Sequence, residues 1–193
     1  METFYSIQGE GANTGQAAYF IRLAGCDVGC VWCDVKDSWD VSKHPLVSVK
    51  KIVDDALKYP SRNVVITGGE PLQHDLDDLC ELLLMNEFEI WLETSGAYPL
   101  RGAFDWICFS PKKFKVPLEE IYTYANELKV VIFNKSDFKW AEEQAALVDE
   151  NCALYLQPEW DKRSEIMPLI VDYVKNNPEW NISLQTHKYL NVP

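Results

Sequence analysis

Between Gly25 and Asp34 the sequence Gly-Cys-Asp-Val-Gly-Cys-Val-Trp-Cys-Asp sets three thiols at Cys26, Cys30 and Cys33. One loop can turn all three sulfurs toward a shared metal centre. Thiolates hold iron-sulfur clusters, and a four-iron cluster with only three protein ligands keeps one iron open to an outside molecule. Zinc is the rival reading. Structural zinc usually takes paired Cys-x-x-Cys arms and a fourth Cys or His, and no second arm is present. A disulfide is weaker still, because three clustered cysteines leave one unpaired and nothing else suggests export. Cys80, Cys108 and Cys152 lie in apolar stretches and read as small buried hydrophobes.

Other residues with chemical potential are scattered along the chain. Gly68-Gly-Glu-Pro permits positive φ and close approach of backbone amides, with Glu70 free to accept from an amine or hydroxyl; its plain alternative is a turn. Gln8-Gly-Glu-Gly supplies Gln8 and Glu10 beside flexible backbone, suited to the donors and acceptors of a heterocycle, or else an ordinary polar loop. Arg22 interrupts an apolar strand. A buried arginine needs a partner, which is either a substrate carboxylate held bidentately or an internal ion pair. Trp32, between two cysteines, shields the metal centre or simply packs. His187 and Lys188 have no serine or carboxylate arrangement around them, so a hydrolase has little support.

Apolar runs rich in β-formers position these groups. They fall at Tyr19 to Leu23, Asn63 to Thr67, Glu89 to Thr94, Trp106 to Phe109, Lys129 to Phe133, Ala153 to Gln157 and Ile182 to Gln185. Helical patterns alternate with them: one capped by Ser48 and closed by Pro60, then about Asp75 to Met85, Asp137 to Val148 and Ser164 to Asn176. Alternation predicts parallel strands in an α/β fold, with prolines reducing some crossovers to loops. Gly68-Gly-Glu-Pro, Thr94-Ser-Gly, Ser110-Pro-Lys, Gln157-Pro and Gln185-Thr-His-Lys each follow a strand, and so does the cysteine loop. Strand C-termini converge on the ligand site in parallel α/β folds, so all should line one mouth.

The 193 residues suffice for one domain, 1–193, and no repeat or linker divides them. Thirty acidic against 18 basic residues give a net charge of −12, which opposes binding to nucleic acid and favours a small substrate. No apolar run reaches membrane-spanning length and the start lacks a secretory signal, so a cytoplasmic protein is expected.

Taken together, Cys26-x-x-x-Cys30-x-x-Cys33 and Gly68-Gly-Glu-Pro resemble the radical S-adenosylmethionine superfamily. Further segments make the chain similar to its 7-carboxy-7-deazaguanine synthase family: Phe4-Tyr-Ser-Ile-Gln-Gly-Glu-Gly, Glu93-Thr-Ser-Gly, Ser110-Pro-Lys, Leu156-Gln-Pro and Leu184-Gln-Thr-His-Lys-Tyr-Leu-Asn-Val-Pro193. The resemblance implies an α/β fold that is an incomplete TIM-like barrel with a reduced helix set, usually a homodimer. It implies conversion of 6-carboxy-5,6,7,8-tetrahydropterin to 7-carboxy-7-deazaguanine and ammonia, within deazapurine (queuosine-type) biosynthesis. A 4Fe-4S cluster on Cys26, Cys30 and Cys33 would cleave S-adenosylmethionine to a radical that takes hydrogen from the pterin. An electron donor such as flavodoxin or ferredoxin would reduce the cluster.

By position, the resemblance assigns Trp32, Cys33, Asp34, Gly69, Ser110, Pro111, Lys112, Gln157, Pro158, Glu159 and Trp160 to S-adenosylmethionine. It assigns Ile7, Gln8, Gly9, Arg22, Thr67 and the carboxylate end at Pro193 to the pterin. One departure stands out. The family usually has Thr or Ser two residues after the last cluster cysteine, giving Mg2+ an oxygen beside the substrate carboxylate, and this chain has Val35.

Two readings from other classes share the thiols: an activating enzyme for a glycyl-radical partner, and a non-enzymatic iron-sulfur or zinc module. The first leaves Gln8-Gly-Glu-Gly and Val192-Pro193 unexplained, and the second calls for a fourth ligand. The three-thiol reading predicts that alanine at Cys26, Cys30 or Cys33 abolishes turnover and iron binding, whereas Cys80→Ala retains both. Iron and sulfide analysis beside activity checks this; stoichiometric zinc without iron after anaerobic reconstitution would contradict it.

Overall fold

The computed structural model describes residues 1–193, and its frame is one eight-stranded sheet whose spatial order follows the sequence. The strands are β1 (Glu2–Ile7), β2 (Ala17–Leu23), β3 (Asn63–Gly68), β4 (Glu89–Thr94), β5 (Trp106–Phe109), β6 (Glu127–Ile132), β7 (Ala153–Pro158) and β8 (Trp180–Ile182). β1 pairs with β2 antiparallel, Glu2 opposite Arg22 and Ile7 opposite Ala17, and every later pair is parallel. β1 and β8 do not meet, so the barrel is incomplete.

Five helices serve the crossovers, α1 (Val49–Ala56), α2 (Asp77–Met85), α3 (Glu119–Tyr124), α4 (Ser136–Ala145) and α5 (Arg163–Asn176), and α6 (Thr186–Leu190) follows the last strand. The Ser48 side chain accepts from Lys51 N at the start of α1, as its cap position requires. The β4–β5 link carries no helix. No helix is long and apolar enough to cross a membrane.

Side chains alternate across a strand, and here the two sets have different tasks. Ile21, Val64, Ile66, Ile90, Leu92, Leu128, Val130 and Leu156 join the main core against Val53, Leu83, Ala141, Ile166 and Ile170 of the helices. Their neighbours Phe20, Arg22, Val65, Thr67, Glu93, Lys129, Val131 and Gln157 line a cavity on the other face. Behind that cavity the lumen is plugged by Ala18, Phe20, Val65 and Trp91, with Phe4 and Trp106 packed on them. A charge in an apolar strand is thus what a lumen-facing position looks like.

Four elements depart from the sequence expectation. β1 was not expected; its Glu-Thr-Phe-Tyr-Ser-Ile stretch gains strand character by pairing with β2. β6 starts at Glu127 rather than Lys129. The last strand, expected at Ile182 to Gln185, is Trp180–Ile182, because Leu184 and Gln185 leave the sheet to enter α6. The six-residue α3 follows the proline-interrupted stretch and was also missed.

The ends of β2 and β3 meet unusually closely. Gly69 N donates to Leu23 O at 3.0 Å and Glu70 N to Gly25 O at 2.7 Å. Gly68 has φ of 143°, and a Cβ on Gly69 would lie 2.3 Å from Gly25 O and 2.8 Å from Cys26 Cβ. No side chain fits there. Gly69→Ala should therefore cost about 1–3 kcal/mol in urea unfolding and impair cluster retention, whereas Gly15→Ala, whose Cβ meets nothing within 4 Å, should keep the cluster.

Candidate active site

The cysteine loop leaves β2 at Leu23 and is tied down at both ends. Gly25 N donates to Ser38 O at 2.6 Å, Cys26 N to Trp39 O at 3.4 Å, and Cys33 N to Cys30 O at 3.1 Å. Side chains anchor it from outside. His74 Nε2 lies 2.6 Å from Ala24 O, and Asp27 gathers Gln73, Tyr98 and Lys115 within 3.0 Å. Cys30 is buried and Cys26 and Cys33 are half-buried, and all three open on one cavity of about 290 Å³. Burial raises the Cys26 thiol and pushes Cys30 up to about 11. Iron binding must therefore displace their protons, as thiolate coordination does.

No three His, Cys, Asp or Glu side chains close around a single ion. Three thiols of one loop, facing one cavity with no fourth such ligand, suit a cube whose irons each take one sulfur better than one zinc ion. Cys80, Cys108 and Cys152 are buried at other places in the fold, as small hydrophobes.

The same cavity gathers nearly all the residues singled out from sequence. Trp32, Asp34, Val35, Gly69, Ser110, Lys112, Gln157, Pro158, Glu159 and Trp160 stand on its wall, as do Ile7, Gln8, Gly9, Arg22, Thr67 and Pro193. Pro111 does not: it is buried behind Ser110 and Lys112. The post-strand segments do converge on one mouth.

Their polar atoms are more committed than the sequence suggested. Glu70 is 1% exposed and accepts from Leu72 N, Thr94 Oγ1, and Ser95 N and Oγ, so it staples β3 to β4 instead of offering itself to a ligand. The amides of Gly69 and Glu70 are likewise spent on Leu23 and Gly25. Gln8 Oε1 accepts from Gly9 N and Glu10 N, and its Nε2 donates to Glu93. Glu159 caps the turn at Asp161 and Lys162. Gln157 Oε1 accepts from Ser183 Oγ at 2.7 Å, and Ser183 Oγ in turn accepts from Gly11 N. Gly9 has no room for a side chain, since a Cβ would lie 2.2 Å from His187 Nδ1.

Arg22 has found a partner, Glu2 at 2.7 Å, and lies over the Phe4 ring. Glu2 is 48% exposed, and such surface pairs contribute little. A ligand carboxylate in the cavity can replace Glu2 at small cost.

Lys129 was overlooked as a site residue. It lies among Leu128, Val130 and Val131, the same signal that exposed Arg22, and donates to Glu10 at 2.7 Å and Glu93 at 2.8 Å. Burial alone would raise the Glu10 carboxyl, but Lys129, aided by Gln185, brings it down to about 2. Burial would lower Lys129, yet Cys108, Glu10 and Glu93 hold it well above its ordinary value. Lys112 is lowered by burial, though it stands near Cys30 and over Trp32.

The position at which the family resemblance would put Mg2+, already altered to Val35 in the sequence, does not fit it. Val35 has no side-chain oxygen, its carbonyl accepts from Ser38 N and Oγ, and the neighbouring Asp34 holds Lys188 at 3.0 Å. Mg2+ demands near-octahedral oxygen ligation, which these groups do not supply.

Fold and cysteine loop together define a radical S-adenosylmethionine enzyme, and the family profile of the Radical SAM superfamily matches residues 20–107. The chain is 58% identical over 193 residues to 7-carboxy-7-deazaguanine synthase of Flavobacterium psychrophilum, covering all of this chain and 91% of that protein. The enzyme of the same name from Synechocystis is 51% identical, covering 99% of this chain and 91% of its own. Among solved structures, QueE from Escherichia coli superposes with a TM-score of 0.81 at 33% identity, over 95% of this chain and 91% of that one. The chain belongs to the 7-carboxy-7-deazaguanine synthase family. Membership implies a 4Fe-4S cluster and S-adenosylmethionine, and it leaves the glycyl-radical-activating and non-enzymatic readings without support.

The Lys129 triad gives two expectations. Lys129→Met leaves two carboxylates unpaired in the lumen and should destabilise the fold by about 3–5 kcal/mol. Because the Glu10 carboxyl is depressed on folding, its contribution is present above pH 4.5, its ordinary value, and lost as pH falls toward about 2. Glu10→Gln should therefore flatten the stability profile across that window, as read by urea unfolding at each pH; a profile that keeps the wild-type slope contradicts the pairing.

Proposed function

We propose that residues 1–193 work as one radical S-adenosylmethionine domain converting 6-carboxy-5,6,7,8-tetrahydropterin to 7-carboxy-7-deazaguanine and ammonia. The observation that carries this reading is the single cavity, in which the three thiols face the Gln8–Gly9 loop, Arg22 and Pro193. Cys26, Cys30 and Cys33 would hold the cluster, which would supply the one-electron reduction of S-adenosylmethionine from which a hydrogen-abstracting radical would come.

The chain's own part is to bind, orient and exclude water. Arg22 exchanges Glu2 for the pterin carboxylate through a bidentate contact. Thr67, the register partner of Arg22 on β3, offers its hydroxyl to the same ligand. The Gln8–Gly9 backbone, fixed by Thr186 N and Oγ1 donating to Gly9 O, meets the heterocycle edge. Pro193, whose carbonyl oxygen accepts from Ser6 Oγ at 2.8 Å, closes the substrate end.

On the other side of the cavity, Asp34, Gly69, Ser110 and the Gln157–Trp160 segment would hold S-adenosylmethionine, with Trp32 and Lys112 beside them. Gln157 gives its carbonyl oxygen to Ser183, so its amide group is left as a donor toward the cavity. The aromatic plug of Phe4, Phe20, Trp91 and Trp106 keeps water from the lumen side. Net charge of −12 accords with a free pterin rather than a nucleic acid as substrate. The same reading places the enzyme in the cytoplasm as a homodimer, reduced by a flavodoxin or ferredoxin, as the family resemblance implies.

Anaerobic incubation with the carboxypterin, S-adenosylmethionine and dithionite, followed by mass spectrometry, should give 7-carboxy-7-deazaguanine. Cleavage of S-adenosylmethionine without that product would refute the substrate assignment. Because Val35 offers no oxygen, turnover should stay within about twofold after EDTA treatment, whereas Val35→Thr should make the rate rise with added Mg2+. A wild-type enzyme that is nearly inactive until low Mg2+ is restored would show that other oxygens hold the ion.

A further inference from the structure

Beside the main cavity lies a second, much smaller one. β4, β5 and β6 set three polar side chains in line there, Glu93 opposite Cys108 and Cys108 opposite Glu127. Register partners on neighbouring strands share a face, so the three form one row across the lumen. Cys108 and Glu127 are 3% and 2% exposed. The row borders a void of about 10 Å³, room for one water molecule, which Gln8, Glu10 and Asn13 also line. Gln8, Glu10 and Glu93 belong to the walls of both spaces. The row thus leads from the ligand cavity into the interior.

Charge is unbalanced along it. Glu10, Glu93 and Glu127 share one ammonium, Lys129, and that pairs with the first two. A buried carboxylate without its own cation is costly, and such a group keeps its proton instead. The hydrogen bonds of Glu127 suit the neutral acid. Oε2 accepts from Ala12 N at 3.0 Å and Trp106 Nε1 at 3.2 Å, while Oε1 meets only Cys108 Sγ, at 3.4 Å. Oε2 is thus placed as the carbonyl oxygen and Oε1 as the hydroxyl. Burial raises the Glu127 carboxyl and Glu93 adds to this, against the pull of Lys129. Cys108, Tyr155 on β7 and Cys152 just before it also face Glu127, and burial raises all three.

We propose that Glu127 is a neutral carboxylic acid that lends one proton to the reaction through the small void and Glu93. This rests on the carboxypterin reading above. Releasing ammonia and leaving an aromatic ring requires that the departing nitrogen gain a proton and a ring carbon lose one. The Glu127 proton passes to a water in the void, that water gives one of its own to Glu93, and Glu93 protonates the nitrogen. The C–N bond then breaks with its electron pair on nitrogen. The proton shed by the ring carbon returns along the same row to Glu127, so none is consumed and bulk water stays out. Gln8 and Lys129, both donating to Glu93, hold it in place for the two transfers.

The test uses the reconstituted enzyme and Glu127→Gln, which keeps an acceptor for Ala12 N and Trp106 Nε1. Infrared spectra should show the carbonyl stretch of a protonated acid in wild type that the variant lacks. A carboxyl raised on folding contributes stability below pH 4.5, its ordinary value, and loses it as pH rises. The amide should therefore cost no stability in urea unfolding at neutral pH. With the pterin deuterated at the abstracted position, deuterium transfer to S-adenosylmethionine should stay within about twofold, while deazaguanine forms roughly tenfold or more slowly. That residual rate should rise as pH falls, because bulk acid then supplies the proton. Cys108→Ser, which keeps a polar hydrogen beside the void, should preserve most of the product rate, and Cys108→Val, which fills the void, should behave like Glu127→Gln.

Unchanged product formation and an unchanged infrared spectrum in Glu127→Gln would overturn the proposal. So would equal losses of deuterium transfer and product, or a loss of stability at neutral pH, either of which would make Glu127 an ionised clamp on the Gly11–Ala12 loop. Failure of the function reading looks different, because wild type itself would then form no deazaguanine.

Discussion

The close contact between the ends of β2 and β3 is the constraint on which the site depends. Two backbone hydrogen bonds, Gly69 to Leu23 and Glu70 to Gly25, bring the Gly-Gly-Glu-Pro turn against the root of the cysteine loop. Gly68 and Gly69 are required because a Cβ on either would fall within 2.3 Å of a carbonyl oxygen of the β2 end. The glycines therefore serve the assembly of the cofactor site before they serve any ligand. Glu70, buried and fully used, extends the same joint to Thr94 and Ser95 on the next strand. Three strand ends become one rigid rim.

Alternation along the strands does the rest. One set of side chains joins the helices in an apolar core, and the other set furnishes the lumen with Arg22, Thr67, Glu93, Lys129 and Gln157. Burying Lys129 between two carboxylates is costly unless the three charges compensate one another, and removing one leaves the others exposed to that cost. The arrangement fixes the floor and links Gln8 and Glu10 of the β1–β2 connection to β4 and β6. Ser183 makes a parallel tie from Gln157 to Gly11. The thiol side and the Arg22 side of the cavity are thus held by one polar frame.

Much of this was legible in the sequence, for identifiable reasons. The cysteine spacing and the punctuation after each strand survive in any register, so the sequence alone brings Cys26, Gly69, Ser110 and Gln157 to one mouth. Arg22 was noticed because a charge broke an apolar run, yet the same break at Lys129 passed unused, since nothing in sequence reveals Glu10 and Glu93 beside it. Strand β1 depends on its pairing with β2, a tertiary effect that local propensity does not carry. Hydrogen-bond commitment was the least legible property: Glu70 and Gln8 looked available and are not. The correction at Pro111 has the same origin, because a motif names three residues while the backbone turns only Ser110 and Lys112 to the cavity.

On the function proposed above, one cavity holds both ligands, with the cluster on one loop and the pterin against the opposite wall. A crystal structure of the anaerobically reconstituted enzyme with S-adenosylmethionine and the unreactive 6-carboxypterin tests it most directly. Iron should lie on Cys26, Cys30 and Cys33 alone, S-adenosylmethionine along Gly69 and Gln157, and the pterin carboxylate on Arg22 with Glu2 displaced. Pterin bound outside the cavity, or Arg22 still paired with Glu2 while the carboxylate lies elsewhere, would contradict it.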